Sequence, residues 1–314
     1  MPISISELMR AMRGRVFLAA WLLLPASVLA VNVPPRVDAA WLQAHLQAGK
    51  LAIVEISSET SYVFEGHIPG SVVSSKSAWR EQAADGALVH LPVSRLQARL
   101  RALGVNDDDG VVIYYKGNDT DEILGAYYLF WLLHLLGHPN VGMLDGGWQA
   151  WRDASGPVAE EETPRRKGDF VARPLLALEV GTNELARIRE AYLLVDGRPA
   201  AHFAGRSKFA ANPKKGRIPG SVNQPWQDYV RRSREGRWYV VPPDVPPLLR
   251  RLGISPDQPI LLTCLGGTGA AFNYAVFYAA GYHNLRVHDA GLRRWNLRNL
   301  PLVNPAVSSA GKGR

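Results

Sequence analysis

The apolar positions of this chain fall into short dense runs separated by stretches with helical spacing. In the second half, Tyr192 to Val195 is an apolar strand candidate, and Pro243 to Leu252 reads as helical after its prolines. Pro259 to Thr263 is continuously apolar with a β-branched end, the pattern of a strand buried on both faces. Ala270 to Ala280 reads as a helix closed by Gly281 as its C-terminal cap, and Leu285 to His288 as the next strand. Strand, helix and strand in this order imply parallel pairing with helices on both faces, hence an α/β fold.

The same succession occurs twice. Gly66-His67-Ile68-Pro69-Gly70-Ser71-Val72 returns as Gly216-Arg217-Ile218-Pro219-Gly220-Ser221-Val222. LAIVEI, Leu51 to Ile56, aligns with LLVDG, Leu193 to Gly197, and LRALGVNDDDGVVIYY from Leu100 aligns with LRRLGISPDQPILLTC from Leu249. Asp145-Gly146-Gly147-Trp148 aligns with Asp289-Ala290-Gly291-Leu292. Blocks in one order in both halves indicate a duplication. The expected organisation is two tandem domains, 31–153 and 175–304, each a mainly parallel sheet flanked by helices. Residues 154–174, with Pro, Gly and charge blocks but no periodicity, read as a linker. Residues 305–314 read as a disordered tail.

The first thirty residues follow another pattern. Arg10, Arg13 and Arg15 precede the apolar run Val16 to Leu24, which Pro25 breaks, and Val28-Leu29-Ala30 supplies small residues. That order predicts a secretory signal peptide over 1–30 and a periplasmic or secreted protein, with no membrane attachment once the segment is cut. An uncut anchor is the alternative. The later run Tyr127 to Gly137 is too short to span a bilayer and contains His134. The chain has 314 residues, is 47% hydrophobic and carries a net charge of +8, which suits two soluble domains. Its basic residues are scattered through both halves, which favours small anionic ligands over nucleic acid.

One cysteine excludes an intramolecular disulfide and leaves either a small buried hydrophobe or a reactive thiol. Cys264 ends the buried strand, and Leu265-Gly266-Gly267-Thr268-Gly269 separates it from the helix. Three glycines there let backbone N–H groups turn inward, and a helix N-terminus with such amides is an anion site. The expectation is a thiol that titrates below a free one and a loop able to cradle a persulfide.

Strand, cysteine, five-residue loop and helix, together with Asp196-Gly197-Arg198, Phe203-Ala204-Gly205, RIPGSV, HIPGSV and Asp145-Gly146-Gly147-Trp148-Gln149-Ala150-Trp151, resemble the tandem-domain rhodanese family of thiosulfate and 3-mercaptopyruvate sulfurtransferases. The resemblance implies a sulfurtransferase in which Cys264 takes a sulfane sulfur from a small anionic donor and passes it to cyanide or a thiol. No cofactor or metal is implied, and a monomer is expected. The first domain would be inactive, because Tyr115 or Lys116 stands in the cysteine's place.

Leu265 and Gly266 depart from the basic or serine residues that relatives carry in the loop, so the donor stays open between thiosulfate and 3-mercaptopyruvate. A non-catalytic binding or sulfur-relay module is a further alternative. A phosphatase would need an arginine where Ala270 stands. Leu265, Gly266, Gly267, Thr268 and Gly269 are the expected persulfide cradle, with Arg198, His202 and Arg206, and Lys208 near them, as candidate anion contacts. Asp196 and Arg198 also suit a structural ion pair, His67 a structural turn, Asp145 and Asp289 strand-to-helix turns, and Arg231, Arg232, Arg234 and Arg237 a solvated surface. The histidines show no metal-ligand spacing, and no phosphate loop, dinucleotide fingerprint or Ser-His-Asp grouping is present. N-terminal sequencing of the exported protein should read Val31 or a near neighbour; Met1 or Pro2 would point to an uncut anchor.

Overall fold

The computed structural model describes residues 30–304 except 163, 165, 211 and 213. The expected signal segment, but for Ala30, and the expected tail lie outside them. The chain is α/β, built from two parallel sheets. In the first half, β1 (Arg36–Val37), β2 (Leu51–Ile56), β3 (Ser71–Ser74), β6 (Gly110–Tyr115) and β7 (Val141–Leu144) form one sheet in the order β1-β7-β6-β2-β3. In the second, β8 (Leu193–Asp196), β9 (Val222–Asn223), β12 (Ile260–Thr263) and β13 (Leu285–Val287) form the order β13-β12-β8-β9. β6 and β12 are buried at every position, as their unbroken apolar sequences require.

Helices α1 (Ala39–His45), α2 (Glu59–Phe64), α3 (Val93–Ala102), α4 (Thr120–Leu135) and α5 (Gly147–Asp153) belong to the first half, and α6 (Thr182–Ile188), α7 (Ala200–Phe203), α8 (Pro247–Leu252), α9 (Thr268–Ala279) and α10 (Gly291–Leu297) to the second. α8 covers only the end of the helix expected from Pro243, because Pro246 stands at its N-cap and Pro247 in its first turn. α9 starts two residues before Ala270, directly from the glycine loop.

α4 is apolar around its whole circumference, and such a helix must be buried on all sides. It packs against α9, its counterpart from the other half. Tyr127 and Phe272 meet at 4.2 Å, and His134 Nδ1 lies 2.9 Å from Tyr274 Oη. Burial holds the His134 imidazole down to about 3, so it stays neutral. The run Tyr127–Gly137 is thus an interdomain core; among the described residues no helix is long and apolar enough to cross a membrane.

Two antiparallel hairpins complete the join. β4 (Arg80–Gln82) pairs with β5 (Leu88–His90), and β10 (Val230–Arg232) with β11 (Trp238–Val240). Each reaches into the other half. Trp238 donates its backbone N–H to Gly117 O at 2.7 Å and Val240 to Tyr115 Oη at 2.9 Å, while Arg237 pairs with Glu65 at 2.5 Å. In return, His90 donates its backbone N–H to Asp289 Oδ2 at 2.7 Å, and Asp85 pairs with Arg294 at 2.7 Å. Arg237 is therefore an interdomain clamp rather than part of a solvated charge run.

The segment between the halves is strapped to the first: Ala159 bridges His67, Gly168 N–H bonds Arg101 O at 2.8 Å, and Phe170 is buried. Phe272 also lies 6.0 Å from Trp226 and 5.8 Å from Tyr229, ring to ring. Removing so large a side chain from a close-packed core costs about 3–5 kcal/mol. Phe272→Ala should accordingly lower the unfolding free energy by that amount, read as a lower urea midpoint with an unchanged denaturant slope.

Candidate active site

Cys264 leaves the carboxyl end of β12, the central strand that pairs with β8 through Thr263 and Asp196. Ligands of open α/β sheets bind outside the carboxyl ends of the strands. Here a cavity of about 620 Å³ opens over Cys264, and Leu265, Gly266, Thr268 and Gly269 line it with the cysteine. The loop is fixed from behind: Leu292 N–H bonds Cys264 O at 2.7 Å and Arg293 N–H bonds Leu265 O at 2.9 Å. Gly267 sits at φ +88°, where only glycine is comfortable, and a Cβ there would meet Asp289 Oδ1 at 2.1 Å. It therefore sits behind the loop and does not line the cavity.

The backbone N–H groups of Gly266, Gly269 and Ala270 bond toward the thiol sulfur. These amides favour the thiolate, as expected of the glycine loop, but the thiol as a whole shifts in the opposite direction to the expectation. The side chain is only 5% exposed, and burial pushes the thiol up, with Asp196 adding to the rise; the three amides oppose it without prevailing.

The anion contacts expected from sequence part company. Arg198 lines the cavity, but its guanidinium is committed: Nε and Nη2 grip both oxygens of buried Asp196 at 2.6–3.0 Å, and Nη2 also donates to Gly216 O. His202 packs edge-on against Phe209 at 4.0 Å, and Arg206 is exposed beyond the end of α7. Neither lines the cavity: His202 lies within α7 with its ring turned to Phe209, and Arg206 lies past the end of that single short turn. Lys208 Nζ donates to Asn212 O, also away from the loop.

In their place stand residues from both halves. Lys76, Arg80, Leu88 and Leu124 come from the first, and Phe209, Trp226, Trp238 and Arg293 from the second. Nothing in their spacing pointed to the cysteine. The signal available was the hairpin turn at Asp85-Gly86, which carries Arg80 and Leu88 across the domain boundary.

Behind the loop, buried Asp289 accepts hydrogen bonds from His90 N–H and from Tyr128 Oη at 2.7 Å each. Its turn is thus also an interdomain joint. His90 Nε2 lies 3.3 Å from Glu179 Oε2. Burial pushes the His90 imidazolium down, but Glu179 and Asp289 outweigh it and raise it to about 9.

In the first half, Tyr115 and Lys116 stand at the matching place. Tyr115 follows the same register and is buried. Lys116, with its side chain fully buried, donates to Gly66 O and lies 3.7 Å over the Trp148 ring, so a lysine fills the space.

The Rhodanese-like domain family matches the chain twice, over residues 38–154 and 182–298. The chain belongs to the rhodanese family. It is 30% identical over 270 residues to the thiosulfate sulfurtransferase of Azotobacter vinelandii, covering 84% of this chain and 94% of that one. To the 3-mercaptopyruvate sulfurtransferase of Escherichia coli strain K12 it is 26% identical over 279 residues, 85% and 96% of the two chains. Among solved structures, YnjE superposes with a TM-score of 0.72 at 24% identity, covering 86% of this chain and 68% of that one. Wild-type EanB superposes at 0.71 and 20% identity, covering 85% and 68%.

Because burial outweighs the amides in this rhodanese, the rate of Cys264 alkylation by iodoacetamide should climb with pH. Its half-maximum should lie above that of a free thiol, read by peptide mass spectrometry across a pH series. A half-maximum below it would show that the loop amides prevail.

Proposed function

We propose that the protein is a sulfurtransferase that takes the outer sulfur of thiosulfate, or a related anionic donor, onto Cys264 and delivers it to cyanide or a thiol. The observation that carries this reading is Cys264 Sγ under a cavity of about 620 Å³, faced by the amides of Gly266, Gly269 and Ala270. The thiolate attacks the outer sulfur, a new S–S bond forms, and the old S–S bond breaks with its electron pair leaving as sulfite. A nucleophilic acceptor then takes the outer sulfur of the persulfide and restores the thiolate. Splitting one transfer into two displacements is covalent catalysis.

The amides bear a partial positive charge in a water-poor pocket and hold the negative sulfur of each anionic state. Cationic groups in the cavity walls would draw a donor anion toward the buried thiol. No part of this cycle draws on a metal or cofactor.

Cys264→Ser keeps the shape and removes the sulfur nucleophile. Thiosulfate:cyanide transfer should fall roughly a thousandfold or more with the thermal unfolding midpoint retained. Intact mass spectrometry after thiosulfate should show a gain of about 32 Da in the wild type and none in the variant. Turnover in the variant near the wild-type rate would sink the assignment.

A further inference from the structure

The loop from Leu265 to Gly269 carries no ionisable side chain, so the charge that meets an anionic donor must come from the cavity walls. Among the described residues, four cations line the cavity: Lys76, Arg80, Arg198 and Arg293. Arg198 is committed to Asp196, and Lys76 pairs with Asp121 at 2.5 Å. Arg293 is half-buried on α10. Arg80 has its side chain only 9% exposed, although it starts from β4 of the domain without a cysteine. Its Nη2 donates to Gly266 O and to Leu88 O at 3.1 Å, its guanidinium stands 4.9 Å over the Tyr128 ring, and Asp289 lies 4.0 Å away. Its Nε has no hydrogen-bond partner.

Gly266 adds a second observation. A Cβ built there has one neighbour within 4 Å, Arg80 Nη2 at 3.8 Å. A side chain at 266 would therefore have room and would start in van der Waals contact with the guanidinium. The loop supplies no side chain at that point, and the neighbouring charged group comes from the other domain.

We propose that Arg80 is the anion-binding residue of the site, supplied by the first domain to hold the donor's oxyanion and to receive the sulfite that leaves. The proposal rests on the sulfurtransferase reading and names the group that recognises the donor. In the first displacement the thiolate and the thiosulfate dianion give the persulfide anion and the sulfite dianion, so the leaving oxygens keep their full charge throughout. A guanidinium is permanently protonated and matches such oxygens with directed N–H groups. The electrostatic coupling between Arg80 and Cys264 agrees with this placement.

The test compares the full chain with Arg80→Ala, Arg80→Gln and the double variant Arg80→Ala with Gly266→Arg. Two readouts are taken: thiosulfate:cyanide kinetics, and the rates at which Cys264 is alkylated by iodoacetate, an anion, and by neutral iodoacetamide. Loss of a charged hydrogen-bond donor to a bound anion weakens binding roughly ten- to a hundredfold. The kcat/KM for thiosulfate should fall by that factor in both single variants, with KM for cyanide unmoved. The iodoacetate-to-iodoacetamide rate ratio should fall severalfold in the same proteins. Both readouts should recover in the double variant, whose guanidinium issues from the loop itself.

A rate ratio equal to wild type in the single variants overturns the proposal, as does a loss of kcat/KM that the double variant leaves unrepaired. If Arg80→Ala does not fold, Arg80→Gln, which keeps most of the packing, decides by the same two readouts. A wild-type chain that forms no thiocyanate sinks the sulfurtransferase reading instead, and the alkylation ratio still decides whether Arg80 draws anions to Cys264.

Discussion

The site depends on one buried carboxylate. Asp289 is inaccessible to solvent, and a charge so placed must be compensated by close donors. Its donors come from the other domain: the backbone of His90, the hydroxyl of Tyr128 and, at longer range, the guanidinium of Arg80. The same carboxylate presses against Gly267 and so shapes the loop that cradles Cys264. Domain docking and loop geometry are thus one constraint, and burial pushes the Asp289 carboxyl up while those first-domain partners oppose it.

The two halves show how little separates an active site from a structural one. Both place a residue at the carboxyl end of a fully buried central strand. In one half the residue is a cysteine below an open cavity; in the other it is Tyr115, followed by Lys116 turned back into the protein. Glu55, the counterpart of Asp196, is held up by burial, with Lys116, Ser57 and Tyr114 lowering it. Where Asp196 anchors Arg198 beside a site, Glu55 closes a polar network around a filled space. That network is satisfied internally, which suits a core and leaves nothing for a ligand.

Much of this was legible in the sequence. The repeat blocks, the apolar strands and the glycine loop after Cys264 depend on local chemistry, and each lies where its pattern implied. Other features depend on what the fold brings together from afar. Arg80 sits in an unremarkable polar stretch, and only the turn of a hairpin carries it across the domain boundary. His202 and Arg206 stand among the candidate contacts in sequence, yet the ring of one packs on Phe209 and the other is exposed past the end of α7. The sign of the Cys264 shift followed from burial, which loop composition does not reveal, while Arg237 became a clamp because its hairpin crosses domains.

The reciprocal crossing of the two hairpins has a consequence of another kind. Each half covers the other with the same element, and that is the contact of an isologous two-fold dimer, in which one patch meets its own copy. Here the pair is covalently joined and its halves differ. In a dimer of identical chains every substitution falls on both sites at once, so a lysine that closes one closes the other. A fused pair has no such restriction. One copy can surrender its chemistry and become the half that equips its neighbour, and the symmetry that built the interface no longer dictates what happens on either side of it.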